Sequence, residues 1–154
     1  MSHTIRPAEP GEAAALAALD AGADPNPWRT AQYQSAVAGV AGQQVLVACF
    51  EERPAGCLVL AVAADEGSIH RIVVAEGQRR RGLGLMLLRA ALAAARDAGA
   101  ASCHLEVRES NAAALALYEH AGFSLQGRRK GYYTRPAESG GREDALLMST
   151  SLEV

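Results

Sequence analysis

Apolar positions fall into two rhythms along this chain: short continuous runs that suit strands, and spacings of three to four residues that suit helices. His3 to Arg6 predicts a short first strand stopped by Pro7, and Glu12 to Ala21 an alanine-rich helix with Leu16 and Leu19 on one face. Gly22-Ala23-Asp24-Pro25-Asn26-Pro27 reads as turn chemistry, because two prolines exclude regular structure there. Trp28 follows, and Thr30 to Ala38 predicts a weak second helix. Gly42 opens a β-rich part. Val45 to Glu51 and Gly56 to Ala63 are apolar runs joined through Glu52-Arg53-Pro54-Ala55 as a hairpin, and Asp65-Glu66-Gly67 turns the chain into Ser68 to Ala75.

The longest helix begins at Gly82. Leu83, Leu87, Ala90, Ala91 and Ala94 share a stripe that Leu88 and Leu92 widen, so the helix is expected to be largely buried, and Gly99 ends it with a left-handed cap. Ser102 to Arg108 is the next strand. Ser110-Asn111 caps a helix over Ala112 to His120, which Gly122 terminates. Phe123 to Arg129 and Ala145 to Ser151 are the last strands, separated by a polar stretch from Gly131 to Arg142. The order β-α-α-β-β-β-α-β-α-β-β has no repeat and no linker, so one domain over residues 1–154 is expected. Its second half requires a crossover with some parallel pairing.

Composition narrows the function classes. An apolar fraction of 49% with 21% charged residues is that of an ordinary globular chain, and with only 5% aromatics the core must be filled by small contacts. Fifteen basic against 17 acidic residues leave a net charge of −2, which gives general nucleic-acid binding no electrostatic support. Cys49, Cys57 and Cys103 are odd in number, lie in apolar runs and form no C-x-x-C pair, so neither a disulfide framework nor a zinc site is expected. His3, His70, His104 and His120 show no ligand spacing, and no metal is expected. The start of the chain lacks a signal-type apolar stretch, and the longest apolar run, Cys57 to Ala64, is too short to span a bilayer, so a cytoplasmic protein without membrane contact is expected.

Arg79-Arg80-Arg81-Gly82-Leu83-Gly84 stands between an apolar strand and a helix start. Glycines let backbone approach an anion, first-turn N–H groups lack intrahelical partners, and the helix dipole favours negative charge there. A solvated basic turn is the bland alternative. A Rossmann loop would need a third glycine where Leu87 stands, and a Walker loop a Gly-Lys-Ser/Thr ending. The pyrophosphate of a bulkier cofactor fits better than either.

Ile72-Val73-Val74 followed by Arg79-x-x-Gly82-Leu83-Gly84 resembles the acetyl-CoA motif of the GNAT acetyltransferases. Leu105-Glu106-Val107-Arg108-x-Ser110-Asn111-x-x-Ala114-x-x-Leu117-Tyr118-x-x-x-Gly122-Phe123 is similar to the ribosomal-protein-alanine N-acetyltransferase (RimI-like) subgroup. So are Pro27-Trp28, Gly127-x-Arg129-x-x-Tyr132-Tyr133 and Glu143-Asp144-Ala145-x-x-Met148. The resemblance covers essentially the whole chain, although Ala75-Glu76-Gly77-Gln78 lacks a proline frequent in the family. It implies an α/β (α+β) GNAT fold, a mixed sheet of six to seven strands flanked by about four helices, with a V-shaped splay between two central parallel strands. It also implies that Arg79 to Gly84 bind the pyrophosphate of acetyl-CoA through backbone N–H groups. The strand ending at Val74 would line the pantetheine arm, with an N–H around Val73 steadying the thioester oxygen.

Within that motif Glu106 is the candidate base for an acceptor ammonium; its alternative is a charge partner of Arg108 or of a neighbouring strand, and His104 is a lesser candidate base. On a strand, His104, Glu106 and Arg108 share one face, opposite Cys103, Leu105 and Val107. Tyr118 is the candidate acid for the departing thiolate; its alternative is a core tyrosine. Asn111, two helical turns from Tyr118, is a candidate contact for the pantetheine as well as a helix cap. Cys103 has no charge pattern to activate it, which disfavours an acyl-enzyme. The resemblance implies a protein N-terminus as acceptor, as on a ribosomal protein, held as extended peptide near Tyr132 and Tyr133. Glu143 and Asp144 would attract basic residues behind the acceptor alanine, or are solvated charge at a strand start. An acetyltransferase for a small amine or a lysine side chain, and a non-catalytic acyl-CoA-binding module, are the competing functions; the joint presence of Glu106 and Tyr118 argues against the second.

Overall fold

The computed structural model describes residues 3–134 and 141–152. Strand β1 (His3–Pro7) leads into helices α1 (Ala13–Ala23) and α2 (Thr30–Val37), followed by β2 (Gln43–Phe50), β3 (Arg53–Ala63) and β4 (Glu66–Val74). Helix α3 (Leu83–Asp97) crosses over to β5 (Ser102–Arg108), and α4 (Ala112–His120) leads to β6 (Ser124–Thr134) and β7 (Arg142–Ser151). The strands form one sheet in the order β1-β2-β3-β4-β5-β7-β6, in which β4 and β5 pair parallel and the other neighbours antiparallel. This is the mixed, helix-flanked sheet that the sequence predicts.

The apolar runs of β2 and β3 are continuous because helices cover both faces there. Leu46, Ala48, Leu58 and Leu60 pack with Leu83, Leu87, Leu88 and Ala91 of α3, while Val45, Val47, Cys57 and Val59 pack with Leu16 of α1 and Tyr33 of α2. Of the expected stripe, Leu83, Leu87, Leu88 and Ala91 are buried and Ala90, Leu92 and Ala94 partly so, while Ala95, outside that stripe, is also fully buried against the sheet.

Some boundaries differ from expectation, each for a local reason. Helix α1 runs through Gly22 to Ala23, and Asp24, which precedes Pro25, is the extended residue that ends it (φ −141°). The first hairpin turns on Glu51 and Glu52, both at positive φ (49° and 68°), so Pro54 belongs to β3. It is tolerated there because the register shifts beside it, from Ala48 opposite Gly56 to Cys49 opposite Pro54. Strands β6 and β7 extend into the expected polar stretch, to Thr134 and back to Arg142. Polar pairing rather than an apolar face holds that arm together; residues 135–140 of the stretch lie outside the described residues.

The site is made by a parting of strands. β4 and β5 pair only through Glu66 with Ser102, Gly67 with Cys103 and Ser68 with His104. Immediately beyond, β4 bulges: Leu60 faces Ile69 but Val59 faces Arg71, leaving His70 as the extra residue. The bulge inverts side-chain parity. Ile72 and Val74 then pack toward α3, while Val73 lies in the opposite core and Arg71 reaches α1. The rest of β4 and of β5 diverge as the two arms of a V.

Candidate active site

One arm of the V ends at the arginine loop. Gly82 caps α3 with φ 79°, a left-handed conformation that Arg80 also adopts at 66°. The first helical bond runs from Met86 N–H to the Gly82 carbonyl, and the N–H groups of Arg80 through Leu85 have no hydrogen-bond acceptor among the described residues. Converging free amides at a helix N-terminus are a cradle for an anion. A Cβ on Gly82 would meet nothing within 4 Å, whereas one on Gly84 would stand 3.1 Å from Leu117 Cδ2. Gly82 is thus called for by its left-handed turn rather than by crowding, and Gly84 lets α3 approach α4.

The three arginines separate. Arg79 Nη2 donates to the Ala23 carbonyl at 2.8 Å, tying the loop to the end of α1, and Arg81 lies over the Phe50 ring at 5.3 Å. Arg80 and Arg79 border a cleft of about 530 Å³ whose wall is otherwise largely apolar, with Ile72, Val74, Leu83 and Leu117 beside Gln78 and Tyr118. Free amides opening on a largely apolar cleft suit a phosphorylated cofactor with a pantetheine arm. Among the described residues no cluster of three His, Cys, Asp or Glu is placed to hold a metal ion.

The middle of the V is shared by both arms. Ala75 N–H donates to the Ala55 carbonyl at 2.8 Å, and Cys57 pairs with Val73, so Val73 belongs to the same hydrogen-bonding parity as Ala75. Ladder parity therefore turns the N–H groups of Ile72 and Val74, rather than that of Val73, into the gap. Tyr118 faces the gap from α4. The helix ends in a Schellman motif, Phe123 N–H to the Tyr118 carbonyl at 3.0 Å and Gly122 N–H to the Glu119 carbonyl at 3.0 Å, with the Phe123 ring against Tyr118 at 6.0 Å. That motif fixes Tyr118. Its ring is buried, and burial pushes the phenol up to about 12. Asn111 caps the same helix, its Oδ1 accepting from Ala114 N–H at 3.1 Å.

Glu106 stands on β5 with His104 and Arg108 on the exposed face, opposite buried Cys103, Leu105 and Val107. Its carboxylate is 3.3 Å from Arg129 Nη2, and Tyr133 is pushed up, first by burial and then by the charge of Glu106. Glu106, Tyr118, Asn111, Tyr133 and Ile72 border one cleft at the throat of the V. That cleft shares Tyr118 and Ile72 with the loop-side cleft, and shares Glu106, Trp28 and Tyr133 with a second one lined further by His104, Gln126, Arg129 and Tyr132. His104 Nε2 lies 2.9 Å from Ser102 Oγ.

Glu143 and Asp144 hold protein groups. Glu143 is buried and accepts from Arg108 Nη1 at 3.0 Å and Ser110 N–H at 3.1 Å. Asp144 accepts from Arg128 Nη1 at 2.8 Å and Gly131 N–H at 2.9 Å. Hydrogen bonds from Ser110 and Arg108 hold the Glu143 carboxyl below its usual range, and those from Arg128 and Gly131 do the same for Asp144. Carboxylates with depressed native values stabilise the fold fully above their unfolded values and cease to as pH falls through the native ones. The melting temperature is expected to hold from neutral pH down to about 5 and to fall steadily below about 4. Differential scanning calorimetry across that range checks this, and a flat profile to pH 3 would contradict it.

Spacing and motif gave no sign of Asp20 and Arg71. Fully buried on α1, Asp20 accepts from Arg71 Nε (3.0 Å) and Nη2 (2.5 Å), Tyr33 Oη (2.6 Å) and Trp28 N–H (3.2 Å), and Arg71 also reaches Asp24 at 3.2 Å. This network joins both N-terminal helices to β4 just past its bulge and sets Trp28 beside the throat. The one available signal was an acidic residue four positions after Leu16, on the helix face that the leucine buries. Cys57 adjoins the network, its Sγ 3.5 Å from Tyr33 Oη; burial pushes the thiols of Cys57 and Cys103 up to about 11, so both are unreactive.

The chain is 38% identical over 104 residues, 68% of each chain, to a [ribosomal protein bS18]-alanine N-acetyltransferase of Salmonella typhimurium. It is 40% identical over 82 residues, 53% of this chain and 42% of the relative, to a streptothricin acetyltransferase of Streptomyces lavendulae. The crystal structure of the ribosomal-protein-S18-alanine N-acetyltransferase from Escherichia coli superimposes with a TM-score of 0.89 at 30% identity, covering 99% of this chain and 96% of that one. A sequence model of the acetyltransferase (GNAT) family matches residues 13–123, which include the amide cradle, the diverging strands and Tyr118, and the chain belongs to that family of N-acetyltransferases.

Proposed function

We propose that this acetyltransferase moves the acetyl group of acetyl-CoA to the N-terminal α-amino group of a protein, of the ribosomal-protein-alanine type, by direct attack. The continuity of the three clefts through one throat that holds both Glu106 and Tyr118 carries the reading. The loop amides from Arg80 to Leu85 take the pyrophosphate, and Ile72 and Val74 line the thioester arm. Glu106 removes the proton of the acceptor ammonium, whose ordinary pKa of about 7.7–8.0 makes a carboxylate, directly or through one water, an adequate base. The freed amine attacks the thioester carbonyl, and an inward N–H of Ile72 or Val74 steadies the developing oxyanion. As the C–S bond breaks, the Tyr118 phenol, kept protonated by its burial, passes its proton to the thiolate, and the attacking nitrogen sheds its remaining surplus proton, which restores the phenol and leaves a neutral amide.

The acceptor side favours a peptide. Trp28, Tyr132 and Tyr133 line, together with Glu106, a cleft whose aromatic surface suits a peptide. The test is release of CoA thiol with a panel of acceptors. A peptide beginning Ala-Arg is expected to outperform free polyamines and internal lysines, whereas equal rates across the panel would remove the N-terminal assignment in favour of a small-amine enzyme.

A further inference from the structure

We propose that Asp144 is a positioning residue for the acceptor: its carboxylate pins a bulge in β6 that presents Arg129, Tyr132 and Tyr133 to the acceptor cleft. The inference rests on the acceptor cleft proposed above and replaces, for this residue, attraction of basic acceptor side chains.

Register carries it first. Arg129 pairs with Ala145 and Tyr133 with Glu143, so Lys130, Gly131 and Tyr132 stand opposite Asp144 alone. Excess backbone on one strand has unpaired amides that something else must satisfy. Asp144 Oδ1 accepts from Gly131 N–H at 2.9 Å, at the residue whose φ of 61° turns the bulge. Its Oδ2 accepts from Arg128 Nη1 at 2.8 Å, and the same Nη1 donates to Glu109 Oε1 at 2.8 Å. Glu109 N–H in turn donates to the Asp144 carbonyl at 3.1 Å. Asp144 therefore joins the bulge to Glu109, the residue after β5 and three beyond Glu106, through its carboxylate by way of Arg128 and through its own backbone carbonyl.

What the bulge presents is the lip of the cleft. The Arg129 guanidinium lies over the Tyr132 ring at 5.2 Å and 3.3 Å from the Glu106 carboxylate. Tyr132 meets Tyr133 edge to face at 5.0 Å, and Tyr133 lies under Arg108 at 4.4 Å. Tyr132 is 47% exposed on that lip. Without the pin, both tyrosines and Arg129 lose a fixed distance to Glu106, while the amide cradle at α3 is untouched.

The experiment compares the unaltered enzyme with D144A and D144N, using whichever acceptor of the panel the unaltered enzyme turns over best. D144A is expected to raise the acceptor KM about tenfold while the acetyl-CoA KM stays within about twofold, and to speed hydrogen exchange at the Gly131 amide. D144N keeps an oxygen for that amide and is expected to recover most of the acceptor affinity. G131A, which strains the same turn from the backbone side, is expected to reproduce the acceptor-selective loss if D144A does not fold. Unchanged exchange at Gly131, an unchanged acceptor KM, an equal rise in the acetyl-CoA KM, or a D144N enzyme as impaired as D144A would each overturn the pin. Failure of the peptide reading appears instead in the unaltered enzyme, as preference for a small amine, and leaves the variant comparison readable with that amine.

Discussion

Replacing Asp20 by alanine is expected to lower the unfolding free energy by about 3–5 kcal/mol, the usual consequence of removing one partner from a buried ion pair. Against a total of about 5–15 kcal/mol for an ordinary domain, that is a large fraction of what holds the protein folded. Three donors lose their acceptor together: the Arg71 guanidinium, only 17% exposed, the fully buried Tyr33 hydroxyl, and the Trp28 amide. Asp24 is close enough to keep part of Arg71 satisfied, but among the described residues the Tyr33 hydroxyl donates to Asp20 and not to Asp24. The loss should therefore exceed what one surface pair would give, about 1 kcal/mol at most. Urea unfolding followed by circular dichroism measures it, and Asp20→Asn, which retains oxygen for Tyr33 and Trp28, should fall between the two. A loss below about 1 kcal/mol would mean that the network is dispensable and that α1 is held by its apolar face alone.

What could be read from the sequence, and what could not, divides by the range of the interaction. Elements carried by local periodicity were legible: the alanine stripe of α3, the strand face shared by His104, Glu106 and Arg108, and the Asn111 cap. The Schellman end that fixes Tyr118 was legible as Gly122. Features set by pairing between distant segments were not. The bulge at His70 depends on which β3 residues face β4, and nothing in Ile69-His70-Arg71 announces it. The polar stretch read from Gly131 is strand up to Thr134, with Asp144 bonded to Gly131 N–H and to Arg128, and Arg142 to the Gly131 carbonyl, where apolar residues pair elsewhere. Glu143 and Asp144 were conspicuous as charges, but the burial of Glu143 and the bonds that both make to protein groups were invisible in sequence.

The largest effect on turnover is expected at the throat. Glu106→Gln should reduce kcat by about 10²-fold or more, within the range that a positioned general base contributes, while the acetyl-CoA KM stays close to its original value because the amide cradle is separate from β5. Tyr118→Phe should act the same way on turnover. Its aromatic packing against Phe123 and the Schellman bonds of α4 are kept, so only the proton donor is removed. The two changes should also differ. With acceptors whose amine is already neutral, raising the pH supplies what Glu106 provided, and the Glu106→Gln deficit should shrink; the Tyr118→Phe deficit should persist, because thiolate departure still needs a proton. Steady-state rates at pH 7 and pH 9 with the same peptide separate these outcomes. A Glu106→Gln enzyme within about threefold of the unaltered one would move the base role elsewhere, and His104, on the same face of β5 and lining the acceptor cleft, is the next side chain to replace. If Tyr118→Phe left turnover unchanged, the tyrosine would be a core residue at the end of α4, and the departing thiolate would take its proton from solvent.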